Sequence, residues 1–204
     1  MKIEKYELTK KNKYNVYLSN GEVLELDERV ITENELLLKK EINKELYSKL
    51  EKENKIYNLL AVGEKYISIR LRSIKEMYNY LSKKEEDTDI IDNTINKLIK
   101  NGYLDDNIFT KAYIKDKLNF TNWGDYKIKR ELSSLGVSQS IIEENSILLE
   151  DNILRERMEK IIEKDIRINK KYNGIKLKNK VYNHLLTLGY SKEKVITIIN
   201  NYDF

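Results

Sequence analysis

One helix-ending pattern occurs twice in this chain, 53 residues apart, and it limits the possible folds more than any other feature. Residues 132–138 read Leu-Ser-Ser-Leu-Gly-Val-Ser, and residues 185–191 read Leu-Leu-Thr-Leu-Gly-Tyr-Ser. A glycine directly after a helix can take the left-handed conformation in which a Cβ would clash. A serine two residues later can cap the next helix. We therefore expect Gly136 and Gly189 to end helices at equivalent places of a repeated unit.

A weaker copy of the repeat lies earlier in the chain. Ser73 and Glu76 have the spacing of a capping box, which opens an amphipathic helix. The isoleucine pair at 90–91 precedes the pair at 141–142 by 51 residues. A repeat of about 50 residues with three helical segments predicts tandem three-helix bundles, each too small to bury much surface alone.

Turn and capping residues set the predicted boundaries of the three copies. Gly102 is expected to close a helix, and Asp106 to cap the next one, which carries Phe109 on its apolar side. Asp151 is expected to cap the first helix of the third copy. The predicted repeats therefore cover residues 47–105, 106–149 and 150–204.

The first 46 residues follow a different pattern and are predicted to form a separate extension. Residues 14–18 and 22–26 alternate polar and apolar side chains around an Asn-Gly turn signal at 20–21. Residues 3–8 can supply a third strand, and a short helix is expected near residues 27–33. The overall prediction is a mainly α fold with a small N-terminal β extension.

Composition excludes several classes of protein. The 204 residues include no proline and only seven glycines, which favours uninterrupted helices. The absence of cysteine excludes disulfides, thiolate metal sites and cysteine nucleophiles. No apolar run approaches the roughly 20 residues that span a bilayer, and no signal peptide is visible. We therefore expect a cytoplasmic protein without a membrane partner.

The residues do not suggest catalysis. His184 is the single histidine, and at a helical position between Val181 and Leu185 it is predicted to be a surface or half-buried packing residue. No Gly-rich phosphate loop is present. The acidic run at 85–92 is better explained by helix capping than by Mg²⁺ binding. We predict no enzyme activity, no cofactor, no metal site and no small-molecule substrate.

Basic side chains recur at one place of the repeat. Eight basic residues and one acidic residue lie between 167 and 194, which predicts a surface that faces something acidic. Two sets occupy equivalent helices, each opposite an apolar face. Either they form a solvated surface or they share a binding role, and Trp123 either packs its loop or contacts a partner. The candidate contact residues are Lys127, Lys129, Arg130, Lys176, Lys178, Lys180 and Trp123.

Four stretches resemble motifs of the RecX family. The first is Arg70-Leu71-Arg72-Ser73 with Glu76, and the second is Gly102-Tyr103-Leu104-Asp105-Asp106 with Phe109. The third runs from Lys127 to Val137 and includes Gly136, and the fourth runs from His184 to Tyr190 and includes Gly189. The resemblance covers about residues 58–200. It adds Arg70 and Arg72 to the candidate contact residues.

The resemblance implies a regulator of DNA repair and the SOS response. Such a protein lies in the groove of the RecA–DNA filament, bridges subunits, and restrains ATP hydrolysis, strand exchange and co-protease activity. Independently of the resemblance, only a handful of lysines and arginines can reach phosphates at once, which predicts weak, salt-dependent DNA binding, and we expect a monomer. Two alternatives stay open at this point: a helical module that binds DNA by itself, and a repeat scaffold without a role in DNA binding.

Overall fold

The computed structural model describes residues 1–9 and 13–204, and in it the chain forms two compact units. The first unit comprises Met1–Arg72 and Glu76–Leu104, and the second comprises Ser73–Lys75 and Asp105–Phe204. The mainly helical fold with a small N-terminal sheet is confirmed. The four-part division of the chain stays a prediction. No helix in the described part of the chain combines the length and the apolar character needed to cross a membrane.

The first unit begins with a three-stranded antiparallel sheet in the order β1-β2-β3. The strands are β1 (Ile3–Leu8), β2 (Lys13–Leu18) and β3 (Val23–Asp27), with Tyr6 opposite Val16 and Val16 opposite Leu24. Within the predicted sheet region 1–27, residues 10–12 lie outside the described residues. Because side chains alternate across a strand, the buried side chains of β2 and β3 all lie on one face.

Helices complete the first unit. They are α1 (Glu28–Glu33), a 3-10 helix (Leu36–Leu38), α2 (Lys44–Ile67), α3 (Ile74–Leu81) and α4 (Thr88–Lys100). Ile74 and Lys75, the first two residues of α3, belong to the second unit. Helices α1 and α2 pack against the sheet. Asn54 of α2 closes the outer edge of β3, since its side chain donates to Glu25 O at 2.7 Å and accepts from the Asp27 amide at 2.9 Å. An edge strand would otherwise offer unpaired backbone groups to solvent.

The second unit contains two helix triplets around one continuous core. The helices are α5 (Asp106–Phe120), α6 (Asp125–Ser134), α7 (Gln139–Glu144), a 3-10 helix (Asn145–Leu148), α8 (Asp151–Ile168), α9 (Gly174–Leu188) and α10 (Lys192–Ile199). Ile128 and Leu132 of α6 belong to the same buried cluster as Val181 and Leu185 of α9. Neither triplet therefore has a core of its own.

The glycine turns adopt the conformation predicted for them. Gly102, Gly136 and Gly189 have φ of +76°, +87° and +85°, in the left-handed region that favours glycine. Phe109 is buried in the core of the second unit. An added Cβ on Gly136 would also lie 2.4 Å from the Lys75 side chain.

Three capping predictions are wrong in detail. The carboxylate that caps α5 belongs to Asp105, which accepts from the amides of residues 107 and 108. Helix α8 begins at Asp151, but the capping position is Glu150, without a side-chain hydrogen bond. Ser138 caps α7 as predicted, whereas Ser191 makes no side-chain cap. Asp105 and Glu150, each one residue before the predicted cap, occupy the capping positions of α5 and α8.

Candidate partner-binding site

The first basic set lies on the outward side of α6. Ile128 and Leu132 point into the core, so Lys127, Lys129 and Arg130 project from the remaining faces of the helix. This is the arrangement that the periodicity of the sequence predicts. Burial of the apolar stripe fixes the orientation of the helix and therefore the direction of its charges.

Each cation of the α6 set contacts either a carboxylate or an aromatic ring. The Lys129 ammonium lies 3.5 Å from a carboxylate oxygen of Glu143. The Arg130 guanidinium lies 3.6 Å from a carboxylate oxygen of Glu131. The Lys127 ammonium lies 4.4 Å from the centre of the Trp123 ring, within cation–π distance.

Trp123 packs its loop onto the second unit and also touches lysines. Its ring is partly buried against the core cluster. The ammonium of Lys117 on α5 lies 4.8 Å from the ring centre, and the ammonium of Lys127 on α6 lies 4.4 Å from it. The position of Trp123 agrees with loop packing, and its contact with a partner stays a prediction.

The second basic set lies on the first half of α9. Lys176 and Lys180 are exposed, and Lys178 is half-buried with its ammonium 3.1 Å from the side-chain oxygen of Asn200. The Lys180 ammonium lies 5.2 Å from the centre of the Tyr172 ring. Among the described residues, no carboxylate forms an ion pair with any of these three lysines. The α9 set therefore keeps more of its positive charge than the α6 set.

Main-chain hydrogen bonds join the start of α6 to the end of α9. The Gly124 amide donates to Leu188 O at 2.9 Å, and the Lys127 amide donates to Gly189 O at 3.2 Å. The first amides of a helix and the last carbonyls of another have no partner within their own helix, so each end supplies what the other lacks. The positive end of one helix dipole also meets the negative end of the other.

A partly buried ion pair joins the start of α6 to α10 at the same junction. The Asp125 carboxylate is buried, accepts from the Ser191 amide at 3.2 Å and from the Lys194 ammonium at 2.8 Å. Lys194 also lies 3.0 Å from Asp151. Asp151, the first residue of α8, therefore contributes a carboxylate to this junction. The two basic helices are thus fixed relative to each other.

Arg70 and Arg72 lie in the first unit and share one carboxylate. The Arg70 guanidinium lies 2.5 Å from Glu76, and Arg72 lies 3.9 Å from the same oxygen. Arg72 also stacks at 3.8 Å on the ring of Tyr66, and only 9% of its side chain is exposed. Arg70 is therefore the more accessible of these two candidate contact residues.

Ser73 and Asp106 bind backbone groups of the second unit. The Ser73 hydroxyl donates to Leu135 O at 2.7 Å, and Asp106 accepts from the Ile74 amide at 2.9 Å. Burial raises the pKa of the Asp106 carboxyl above its usual range, and the Asp105 charge adds to the rise, while the Ile74 amide opposes it. Asp106 thus binds the Ile74 amide within the second unit and does not cap α5.

Substitution Asp106→Asn is expected to leave the protein at least as stable as the parent at pH 7. A raised pKa means that the folded state favours the protonated acid, so the stability due to that proton is lost as pH rises through the folded-state pKa. The amide keeps an oxygen for Ile74 and carries no charge. Thermal melts should show that the difference in stability between Asp106→Asn and the parent shrinks towards pH 4, near the pKa of about 3.9 that an aspartate has in the unfolded chain.

The matched control is Asp105→Ala, which removes the carboxylate that caps α5. It should lower the free energy of unfolding by about 1 kcal/mol at pH 7. If Asp106→Asn were as destabilising as this control at pH 7, the burial argument would be wrong.

His184 forms a hydrogen bond that the sequence analysis missed. Its Nδ1 lies 2.6 Å from Oδ2 of Asp165, a buried carboxylate of α8, while the imidazole itself is half exposed. The available signal was the position of Asp165, which follows the apolar pair at 161–162 by one helical turn and therefore lies on the buried stripe.

Substitution His184→Ala is expected to lower the free energy of unfolding by about 1–3 kcal/mol. The loss follows because the buried Asp165 carboxylate would lose this hydrogen bond. Urea unfolding at pH 7 measures the effect. The double variant His184→Ala/Asp165→Leu should recover part of the loss, and equal stability of the parent and His184→Ala would contradict the assignment.

Comparison with known proteins agrees with this architecture. Residues 61–98 match the family model described as RecX, first three-helix domain, and residues 105–144 match RecX, second three-helix domain. Regulatory protein RecX of Finegoldia magna is 35% identical over 155 residues, which are 74% of this chain and 74% of that protein. Regulatory protein RecX of Clostridium beijerinckii is 28% identical over 202 residues, which are 97% of this chain and 94% of that protein.

Two solved structures share the fold. A crystal structure of regulatory protein RecX superposes with a TM-score of 0.86 over 98% of this chain and 99% of that chain, at 21% identity. The crystal structure of RecX from Lactobacillus salivarius gives a TM-score of 0.68 over 72% of this chain and 96% of that chain, at 28% identity. With the domain matches and the relative in Finegoldia magna, these findings show that the chain belongs to the RecX family of regulatory proteins.

Proposed function

We propose that this protein regulates the RecA recombinase by binding along the RecA–DNA filament and restraining ATP hydrolysis, strand exchange and co-protease activity. Membership of a family of regulatory proteins supports a regulatory role. The observation that carries the proposal is the pair of basic helices, α6 and α9, held in one unit by the junction at Gly124 and Gly189. In this proposal the protein acts in DNA repair and the SOS response.

The fixed spacing of the two basic sets suits a repeating filament. Lys127 lies at the end of α9 that Gly189 closes, whereas Lys176 lies near the opposite end, about 20 Å away at 1.5 Å per helical residue. Two linked contacts strengthen each other through effective concentration. Because the junction holds both sets in place, little freedom of motion is lost on binding.

A titration of RecA-dependent ATP hydrolysis on single-stranded DNA tests the proposal. The protein is expected to slow hydrolysis in a concentration-dependent manner and to sediment with preformed filaments. Bovine serum albumin at equal concentration serves as the inert control. No effect on hydrolysis or strand exchange, together with no cosedimentation, would refute the proposed function.

A module that binds DNA by itself is the second candidate. Phe120, with 82% of its surface exposed, and Tyr126 flank Trp123, and such rings can stack on unpaired bases beside lysines. Fluorescence anisotropy without RecA separates the two functions. We expect weak binding, with each phosphate contact contributing about 0.7–0.9 to the logarithmic salt slope. Tight binding that resists salt would favour the independent module.

A further inference from the structure

Two isoleucines are strongly exposed at the end of the second unit where α8 turns into α9. Ile168 ends α8 and is 63% exposed, and Ile175 lies in the first turn of α9 and is 77% exposed. The connection between the helices has only five residues, so both side chains lie at the same end of this helical hairpin. We name this surface, residues 164–180, the hairpin end.

The hairpin end also carries exposed basic side chains. Among the described residues, no carboxylate forms an ion pair with any of these cations. The ammonium groups of Lys171 and Lys180 each lie 5.2 Å from the centre of the Tyr172 ring. The exposed cations of the hairpin end are Lys164, Arg167, Lys170, Lys171, Lys176 and Lys180.

The backbone of the connection is held by hydrogen bonds. The amide of Asn169 donates to Asp165 O at 3.0 Å, that of Tyr172 to Asn169 O at 2.9 Å, and that of Gly174 to Phe204 O at 3.0 Å. Tyr172 also packs against the core of the unit. The isoleucines and cations are therefore presented by an ordered turn, which lowers the entropy lost on binding.

The combination of charge and apolar surface decides between classes of ligand. A phosphate backbone would use the cations and gain little from aliphatic side chains. An acidic polypeptide that also carries large apolar side chains would use both, because its carboxylates pair with the lysines while its apolar groups bury the isoleucines. Charge complementarity therefore indicates a protein partner at the hairpin end.

We propose that the hairpin end binds an acidic polypeptide segment bearing leucine or phenylalanine side chains. This inference rests on the proposed function only for the identity of the protein that carries the segment. It assigns the N-terminal end of α9 to a protein partner rather than to DNA. Ile168 and Ile175 supply the apolar contact, and the cations select the acidic partner.

Fluorescence anisotropy with two synthetic peptides tests this surface without RecA. One labelled peptide is rich in Asp and Glu and contains Leu and Phe, and the other has the same charge with Ser at the apolar positions. We expect the apolar peptide to bind more tightly. The variant Ile168→Ser/Ile175→Ser should weaken it by at least about tenfold and leave the Ser-containing peptide unchanged. Lys170→Glu/Lys171→Glu should weaken both peptides.

The matched control is Ile147→Ser, which replaces an isoleucine that is 74% exposed elsewhere in the same unit. It should leave both affinities unchanged, and thermal melts should confirm that all variants fold. Equal binding of the two peptides, or no loss in the double isoleucine variant, would overturn the proposal. So would an oligothymidine or an anionic vesicle that binds more tightly than the apolar peptide and loses affinity in that variant. Because no RecA is present, these results are independent of the ATP hydrolysis assay.

Discussion

Substitution Gly124→Ala is expected to lower the free energy of unfolding by about 3 kcal/mol or more. An added Cβ would lie 2.3 Å from the Tyr190 amide nitrogen and 2.5 Å from the carbonyl atoms of Gly189. These are backbone atoms that cannot rotate away, so the α6–α9 junction would have to open. Gly124 has φ of −82°, which alanine adopts without strain.

The decisive observation is whether Gly124→Ala raises or lowers the free energy of unfolding. At a position with ordinary φ and no close contact, replacing glycine by alanine stabilises a protein by about 0.4–1 kcal/mol. Urea unfolding of Gly124→Ala therefore separates close packing from backbone freedom. Gly102→Ala is the matched control, since φ is +76° and nothing lies within 4 Å of an added Cβ. It should cost only about 1–2 kcal/mol. A stabilised Gly124→Ala variant would contradict the junction.

Charge reversal at Lys176, Lys178 and Lys180 to Glu is expected to abolish the restraint on RecA ATP hydrolysis. The α9 set has no ion pair within the described residues, so no carboxylate of this part of the chain neutralises its three charges. Linked contacts amplify the loss, because the α6 set alone would bind without the gain in effective concentration. Exposed charges contribute only about 0–1 kcal/mol each to stability, so the helical spectrum and melting temperature should change little.

The α6 set provides the comparison. Reversal of Lys127, Lys129 and Arg130 should also abolish regulation if both sets contact the filament at once. Reversal of Lys83 and Lys84, two exposed lysines outside both sets, is the charge control and should leave regulation unchanged. If both triple variants slowed hydrolysis as well as the parent, the basic helices would be solvated surfaces only. The search for the contact surface would then move to Trp123 and Arg70.

Local sequence determined the elements of this protein. The left-handed glycines at 102, 136 and 189 end helices as predicted, because a residue without a Cβ follows an apolar helical stripe. The Asn-Gly turn and the alternating residues around it predicted the small sheet. Helical periodicity also oriented the two basic sets correctly, since burial of Ile128 and Val181 leaves the lysines on the outer faces. All of these signals act over a few neighbouring residues.

Only the tertiary structure decided which distant groups meet. Gly124 and Gly189 are 65 positions apart, and nothing in either neighbourhood indicates that their backbones touch. The pairing of Asp125 with Lys194 and of Asp165 with His184 likewise depends on how helices cross. Neighbouring carboxylates at 105 and 106 have equal capping propensity, and the position of the Ile74 amide assigns their roles. Such contacts are set by the packing of one shared core, which no local pattern encodes.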